Sequence, residues 1–370
     1  MQRKVSMEKH AENWDYLIVG QGIAGTLLAY FMLKSGLRIC VIDKPHRAAS
    51  SLKAAGIINP ITGRRYAKSW LIETLIPFAK KTYKALEHDL GILIWNERNL
   101  LRALPTVQDE NEWLRRSAFP DFAPWFAKEA DLSGFEKILN PVRAWGETVG
   151  SAQVNFPALI AAFRDKLRQE NALREEEFRF DRLKWRDEFP VYDGRKVKGV
   201  IFCEGARAVA NPYFNYLPFV PTKGEYLEVK IPESNFPKMV KNGVTIVPMG
   251  EGSYWVGATS RFEYDDDLPT ARQKEWLLSK LRKALAIPFE VIKHDAAIRP
   301  TVFGTRPFLG RHPEHAGLYI FNGLGTKGAS LAPFFARHFT AHLLDDAPLM
   351  KEVDIARFAD KYTGSTPPAR

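Results

Sequence analysis

Apolar and polar positions follow two periods along this chain, and they alternate early. Residues 14–19, Trp-Asp-Tyr-Leu-Ile-Val, are rich in β formers and end at Gly20; Thr26 to Lys34 is mostly apolar and free of proline and stops at Gly36; Leu37 to Asp43 is again largely β-branched and apolar. The pattern predicts strand, tight turn, helix and strand, with Gly36 as the helix C-terminal stop. Ile72, Leu75, Ile76, Ala79, Tyr83 and Leu86 recur at helical spacing. Between Gly91 and Val149, four tryptophans and several prolines leave little clean periodicity, which reads as an irregular insertion of sheet and helix. Gly150 to Pro157 reads as a strand edge feeding a helix over 158–167, and Lys198 to Cys203 as a returning strand that runs out at Gly205.

Later segments change character. Strict alternation over 223–230, 243–249 and 253–259 predicts antiparallel strands of a second sheet, and 273–286 a polar-faced helix. The run 297–310 is turn-rich, 318–321 reads as a strand, and Asn322 to Gly328 is a second glycine turn. A helix over 329–344 then places Pro333 in its first turn. No repeat of 20 to 50 residues is visible.

The first glycine turn carries chemistry. Gly20-x-Gly22-x-x-Gly25 joins a strand to a helix, and each glycine serves it differently. Gly20 permits the turn, Gly22 lets backbone approach a pyrophosphate, and Gly25 lets the helix pack closely. The helix N-terminus offers unpaired N–H groups and a positive pole to phosphates. Asp43 closes the second strand, 23 residues after Gly20, where a carboxylate accepts from ribose hydroxyls and repels a 2′-phosphate. The motif by itself leaves FAD and NAD open and argues against NADP. A small-residue loop, Pro45 to Pro60, follows and could lie against a flat ligand.

Composition sets outer limits. With 370 residues, 45% hydrophobic and 26% charged, the chain is a folded protein of two domains or one elaborate one, not a disordered or collagen-like one. Only Cys40 and Cys203 occur, both in apolar runs, which excludes a disulfide scaffold and suits a reducing cytoplasmic location. Met1 to Asn13 is polar and no apolar run reaches the length of a membrane span, so neither leader nor membrane helix is expected. A net charge of +10 favours anionic partners, and Arg64, Arg65 and Lys68 cluster on a glycine turn. His312 with His315, and His338 with His342, read as a turn and a helix face, so no metal site is expected.

The ordered set Gly20-x-Gly22-x-x-Gly25, Ala54-Ala55-Gly56, Lys223-Gly224-Glu225, Val256-Gly257-Ala258-Thr259, Ile298-Arg299-Pro300, Gly310-Arg-His-Pro and Gly323-x-Gly325-x-x-Gly328 resembles the FAD-dependent D-amino-acid oxidase family over roughly Asp15 to Leu344. It is most similar to the glycine oxidases, and also similar to the oxidase half of the bacterial bifunctional tRNA wobble-uridine modification enzyme. The resemblance implies an α/β protein, α+β overall. A Rossmann-like FAD-binding domain (10–90, 146–218 and 296–362) would be interleaved with an antiparallel-sheet substrate domain (91–145 and 219–295). It implies FAD contacts at Gly20, Gly22, Ile23, Ala24, Gly25, Asp43, Lys44, Ser50, Ser51, Ala55, Gly56, Ile57, Gly205, Arg299, Gly323, Gly325, Thr326, Lys327 and Gly328. It gives Arg299 and Thr245 to the substrate, Arg299 by matching the family arginine that pairs with a carboxylate, and Arg64, on its glycine turn, is a further catalytic candidate from its position. Thr245 stands where glycine oxidases carry a tyrosine, and Thr326 near their arginine.

Three functions follow as expectations. The first is dehydrogenation of the C–N bond of a small amino acid or secondary amine by hydride transfer to flavin N5. The second is a tRNA-modifying oxidase acting on a carboxymethylaminomethyl-type wobble base, with Arg64, Arg65 and Lys68 near phosphates. The third is a protein that holds FAD without catalysis.

Overall fold

Tyr16 to Val19 is buried at all four positions, the burial expected of a central parallel strand rather than of a half-exposed one. The computed structural model describes residues 14–44, 49–232 and 234–362. The reading of Met1 to Asn13, the first domain segment's start at residue 10, and Pro45 to Ala48 of the small-residue loop lie outside the described residues. In chain order the main elements are β1 (Tyr16–Val19), α1 (Ile23–Lys34), β2 (Ile39–Ile42), α2 (Ile72–Leu90), β3 (Leu100–Leu104), β4 (Ala144–Thr148), α3 (Phe156–Gln169), β5 (Leu173–Arg174), β6 (Gly199–Phe202), β7 (Thr222–Lys230), β8 (Met239–Asn242), β9 (Val244–Gly250), β10 (Ser253–Gly257), α4 (Ala271–Ala284), β11 (Glu290–Arg299), β12 (Phe308–Arg311), β13 (Leu318–Asn322) and α5 (Gly328–Asp345).

The first sheet has the order β5-β2-β1-β6-β13-β12. Its first five strands are parallel and β12 is an antiparallel edge. Val19 is level with both Ile42 and Phe202, so the strands end together. The order reverses beside β1, which opens a crevice at the strands' carboxyl ends. Leu27, Leu28, Ala79, Phe163, Phe335 and Phe339, from α1, α2, α3 and α5, share one core on one face of the sheet; Phe178, Tyr192, Phe202, Phe214 and Phe308 belong to a second core.

The second sheet has the order β11-β7-β10-β9-β8-β3-β4. It is antiparallel except where β8 meets β3 in parallel. Leu277, Leu278 and Leu281 of α4 join its core with Leu227, Ile246 and Val256. The opposite face carries a register row that crosses five strands: Arg102, Lys241, Thr245, Gly257 and Tyr226. Strand β4 spans the 145/146 position and β11 the 295/296 position, at which the sequence reading divides the chain.

The structure revises several elements. Ala297 to Arg299, read as part of a turn-rich run, closes the ten-residue strand β11, and Phe308 to Arg311 is a strand. The first half of β11 is charged and largely open to solvent, so it lacks the apolar alternation that marks a strand. Helix α5 begins at Gly328, which puts Pro333 beyond the first turn. No helix among the described residues is long and apolar enough to cross a membrane.

Candidate active site

Between the carboxyl ends of the first sheet and the open face of the second lies a cavity of 1440 Å³. That exceeds the ~300–1,000 Å³ of sites for drug-sized ligands, and is suited to a dinucleotide with a substrate beside it. Gly20 has φ +100°, and a Cβ there would come 2.7 Å from the Cys203 carbonyl oxygen. A Cβ on Gly25 would overlap the Gly20 carbonyl, so this glycine fixes helix against turn and does not itself line the cavity. Gly22, Ile23 and Ala24 do line it. The Ile23 N–H donates to Ser51 Oγ at 3.1 Å, while the Ala24 and Gly25 N–H groups have no acceptor among the described residues. These are the donors that a helix N-terminus offers to phosphate.

Asp43 is held from two sides. The Gln21 N–H donates to its Oδ1 at 2.9 Å, and Arg164 Nη1 donates to its Oδ2 at 2.7 Å and to Gln21 Oε1 at 2.6 Å. Two of the carboxylate's roughly four acceptor positions are thereby used, leaving capacity for ribose hydroxyls. Arg164 belongs to α3, far from the fingerprint in sequence, and nothing in its neighbours marks it. Lys44, Ser50, Ser51, Ala55, Gly56 and Ile57 line the same wall. The short helix Ser50–Lys53 is tied to the second sheet: Lys53 Nζ lies 2.6 Å from Asp295 Oδ1, and Trp255 Nε1 donates to the Lys53 carbonyl at 3.1 Å.

The second glycine turn meets the first. A Cβ on Gly328 would stand 3.2 Å from Ile23 Cγ2, and Gly325, Thr326, Lys327 and Gly328 line the cavity with Gly205. Gly323, with φ +77°, packs on Val302 and shapes the turn without lining the cavity. Asn322 Nδ2 donates to the Gly205 carbonyl at 2.9 Å, joining the two strand ends. The Gly328 and Ala329 N–H groups find no acceptor among the described residues, so a second positive helix end faces the cavity. Lys327 Nζ donates to Ser69 Oγ at 3.2 Å, and burial followed by the charge of Arg306 lowers its pKa. Glu204, also on this wall, accepts from Asn211 Nδ2 at 2.6 Å, yet burial raises its carboxyl to about 7.

The facing wall is cationic. Arg299 donates through Nη2 to the Thr259 carbonyl at 3.2 Å and pairs with no carboxylate among the described residues. Its guanidinium lies against Gly224, where any Cβ would overlap it. Burial lowers its pKa, though an arginine stays charged. Thr245, Tyr226 and Trp255 line the cavity nearby. Arg64 is exposed and outside the lining; its neighbours Thr62 and Gly63 take that place. Arg65 is exposed as well and lies outside the lining. The histidines serve local structure, His312 Nδ1 accepting from the Glu314 and His315 N–H groups and His338 Nε2 from that of Met350.

A Rossmann sheet with two helix N-termini and a fixed acid on one side, and an unpaired guanidinium on the other, defines a dinucleotide-dependent oxidoreductase. The family model described as FAD dependent oxidoreductase matches residues 15–342. The chain belongs to this D-amino-acid-oxidase-type family, is an enzyme, and takes FAD as its cofactor. It is 25% identical over 358 residues to the glycine oxidase of Pseudomonas aeruginosa, covering 87% of this chain and 92% of that protein. It is 23% identical to the tRNA 5-methylaminomethyl-2-thiouridine biosynthesis bifunctional protein of Marinobacter nauticus, again over 87% of this chain but only 54% of that relative, about half its length. The crystal structure of glycine oxidase from Geobacillus kaustophilus superposes with a TM-score of 0.78 at 23% identity, over 94% of this chain and 98% of that one.

Proposed function

We propose that this enzyme dehydrogenates the C–N bond of a small amino acid or secondary amine, its carboxylate bound by Arg299. The observation that carries the reading is a half-buried guanidinium on a cavity wall, held by one backbone carbonyl and a glycine cradle but by no protein carboxylate. An arginine so placed retains donors for a planar, two-pronged pairing with a carboxylate. Resemblance to relatives named glycine oxidase supports an amine beside that carboxylate.

The fingerprint N–H groups and Asp43 would hold the pyrophosphate and a ribose, and the Gly328 helix end would stand by a developing negative charge. When bound, FAD supplies the two-electron acceptor, and the imine left behind hydrolyses in water. Arg299 fixes the substrate's anion, Thr245 offers a hydroxyl from the same wall, and Tyr226 with Trp255 keeps that side apolar. The sheets are proposed to act as two domains that close on substrate and cofactor from opposite sides.

The test is an anaerobic spectrum of the purified, FAD-loaded protein with glycine, sarcosine and larger amino acids. Bleaching by a carboxylate-bearing amine, lost in Arg299→Ala and weakened in Arg299→Lys, is the expected outcome. A flavin that stays oxidised with every such amine would refute the proposal.

A further inference from the structure

We infer that the substrate carries a second anionic group, carboxylate or phosphate, received by Lys241 and Arg102 while Arg299 receives the first. The inference deepens the amine-dehydrogenase reading and rests on it. Lys241 and Arg102 are register partners on the parallel strands β8 and β3, so their side chains leave the same face of the second sheet, and both line the cavity. Lys241 is in turn level with Thr245 on β9. The two cations therefore stand beside the threonine at one side of the wall, with Arg299 toward the other.

Their lack of counter-charge sets them apart. Two other lysines that line the cavity have a carboxylate: Lys44 has Glu177 at 3.4 Å and Lys53 has Asp295 at 2.6 Å. Lys241 has neither an ion pair nor a side-chain hydrogen bond among the described residues. Arg102 donates to the Gly63 carbonyl at 2.8 Å and lies 4.6 Å over the Tyr66 ring, again with no carboxylate partner. Lys327, the remaining lysine of the lining, belongs to the cofactor turn and donates to Ser69. Two adjacent cations withdrawn from water raise the free energy of the empty site, and a bound anion offsets that cost. Burial and the Arg102 charge, which push Lys241 down to about 8, reflect the same uncompensated field.

Geometry limits the ligand. Lys241 is level with Tyr226 on β7 across three strand steps, and Gly224 lies two residues further along β7, which puts the Gly224 and Lys241 backbones about 16 Å apart at the usual strand spacing and rise. Long side chains shorten that span from both ends. The second anion thus sits several bonds beyond the amine, as in an N-carboxyalkyl or N-phosphonoalkyl amino acid, rather than in glycine itself.

The experiment uses the FAD-loaded protein and N-alkylglycines of graded arm length ending in methyl, carboxylate or phosphonate, with flavin bleaching as the rate. At the best length an anionic end should exceed its methyl counterpart by about tenfold or more, the value of one charge-assisted contact. The better of the two anions identifies its source. Lys241→Met should collapse the ratio and Lys241→Arg should retain it. Equal rates for anionic and methyl ends in the unmodified enzyme, or a preference that survives Lys241→Met, would overturn the inference while leaving the amine reading intact. If no amine bleaches the flavin, the amine reading fails and the subsite is judged by binding: adipate against hexanoate, followed by perturbation of the flavin spectrum. A tighter dicarboxylate, dependent on Lys241, supports the second anion position; equal affinities overturn it.

Discussion

Pro333 lies in the second turn of α5 and has no N–H for the carbonyl of Ala329, one turn earlier. The Tyr83 hydroxyl of α2 donates to that carbonyl instead, at 3.0 Å in the buried core. A cross-helix bond thus replaces one that the helix cannot make. Tyr83→Phe should lower unfolding free energy by about 1–3 kcal/mol, because the carbonyl is left buried and unpaired. Urea titration checks this, and an unchanged midpoint would remove the role assigned to the hydroxyl. Glu204 supplies a residue-scale pH effect. Its folded-state value of about 7 lies above the ordinary 4.5, so the folded protein binds the extra proton between those values. Stability from this group is full below about pH 4.5 and is lost as pH rises through 7, a change of ~3 kcal/mol. Glu204→Gln should flatten that part of the stability–pH curve, as read by denaturant unfolding at a series of pH values.

At the scale of elements, β7 and β11 make the Arg299 site between them. Thr222 is level with Arg299 across the ladder, yet the guanidinium reaches back over Gly224. Gly224→Ala should displace the arginine without removing it, so the KM for a carboxylate substrate rises about tenfold or more while FAD still binds. Loss of flavin together with substrate binding would instead mean a misfolded strand. Much of this was legible beforehand where the pattern is local. Gly20 to Asp43 forms one contiguous strand-turn-helix-strand unit, and its spacing alone gives the phosphate end of the site. The second glycine turn is local in the same way, whereas the role of Arg299 rests on resemblance. The roles of Arg164, Arg102 and Lys241 were not readable, since each comes from a strand or helix whose position depends on tertiary pairing. Strands β8 and β11 were missed for a related reason: one is short and finds a parallel partner far away in sequence, and the other begins as a charged edge. Arg64 stands beside Gly63 on the turn between the paired strands Ile61–Thr62 and Ala67–Lys68, where Thr62 and Gly63 line the cavity and Arg64 is left in water.

For the molecule as a whole, the cavity lies between the first sheet with its two cores and the second sheet with its own, and a cofactor spanning both glycine turns adds contacts that the unfolded chain cannot make. Stripping FAD should lower the melting temperature by a few degrees, and adding it back should restore the value in a concentration-dependent way, following linkage of about 2.7 kcal/mol at a hundredfold excess over Kd. A melting temperature indifferent to FAD would contradict binding at this site. The interleaving of the sheets has a consequence for the birth of the protein. Strand β6 must wait for β13, and β3 for β8, so neither layer can be completed from an uninterrupted stretch of polypeptide. A ribosome making this chain holds unfinished edges for most of translation, and folding is driven by distant closures that come late and slowly. Ending the chain before Leu318 would therefore leave β6 open on one side and the crevice without its second helix end, rather than yield a smaller working domain.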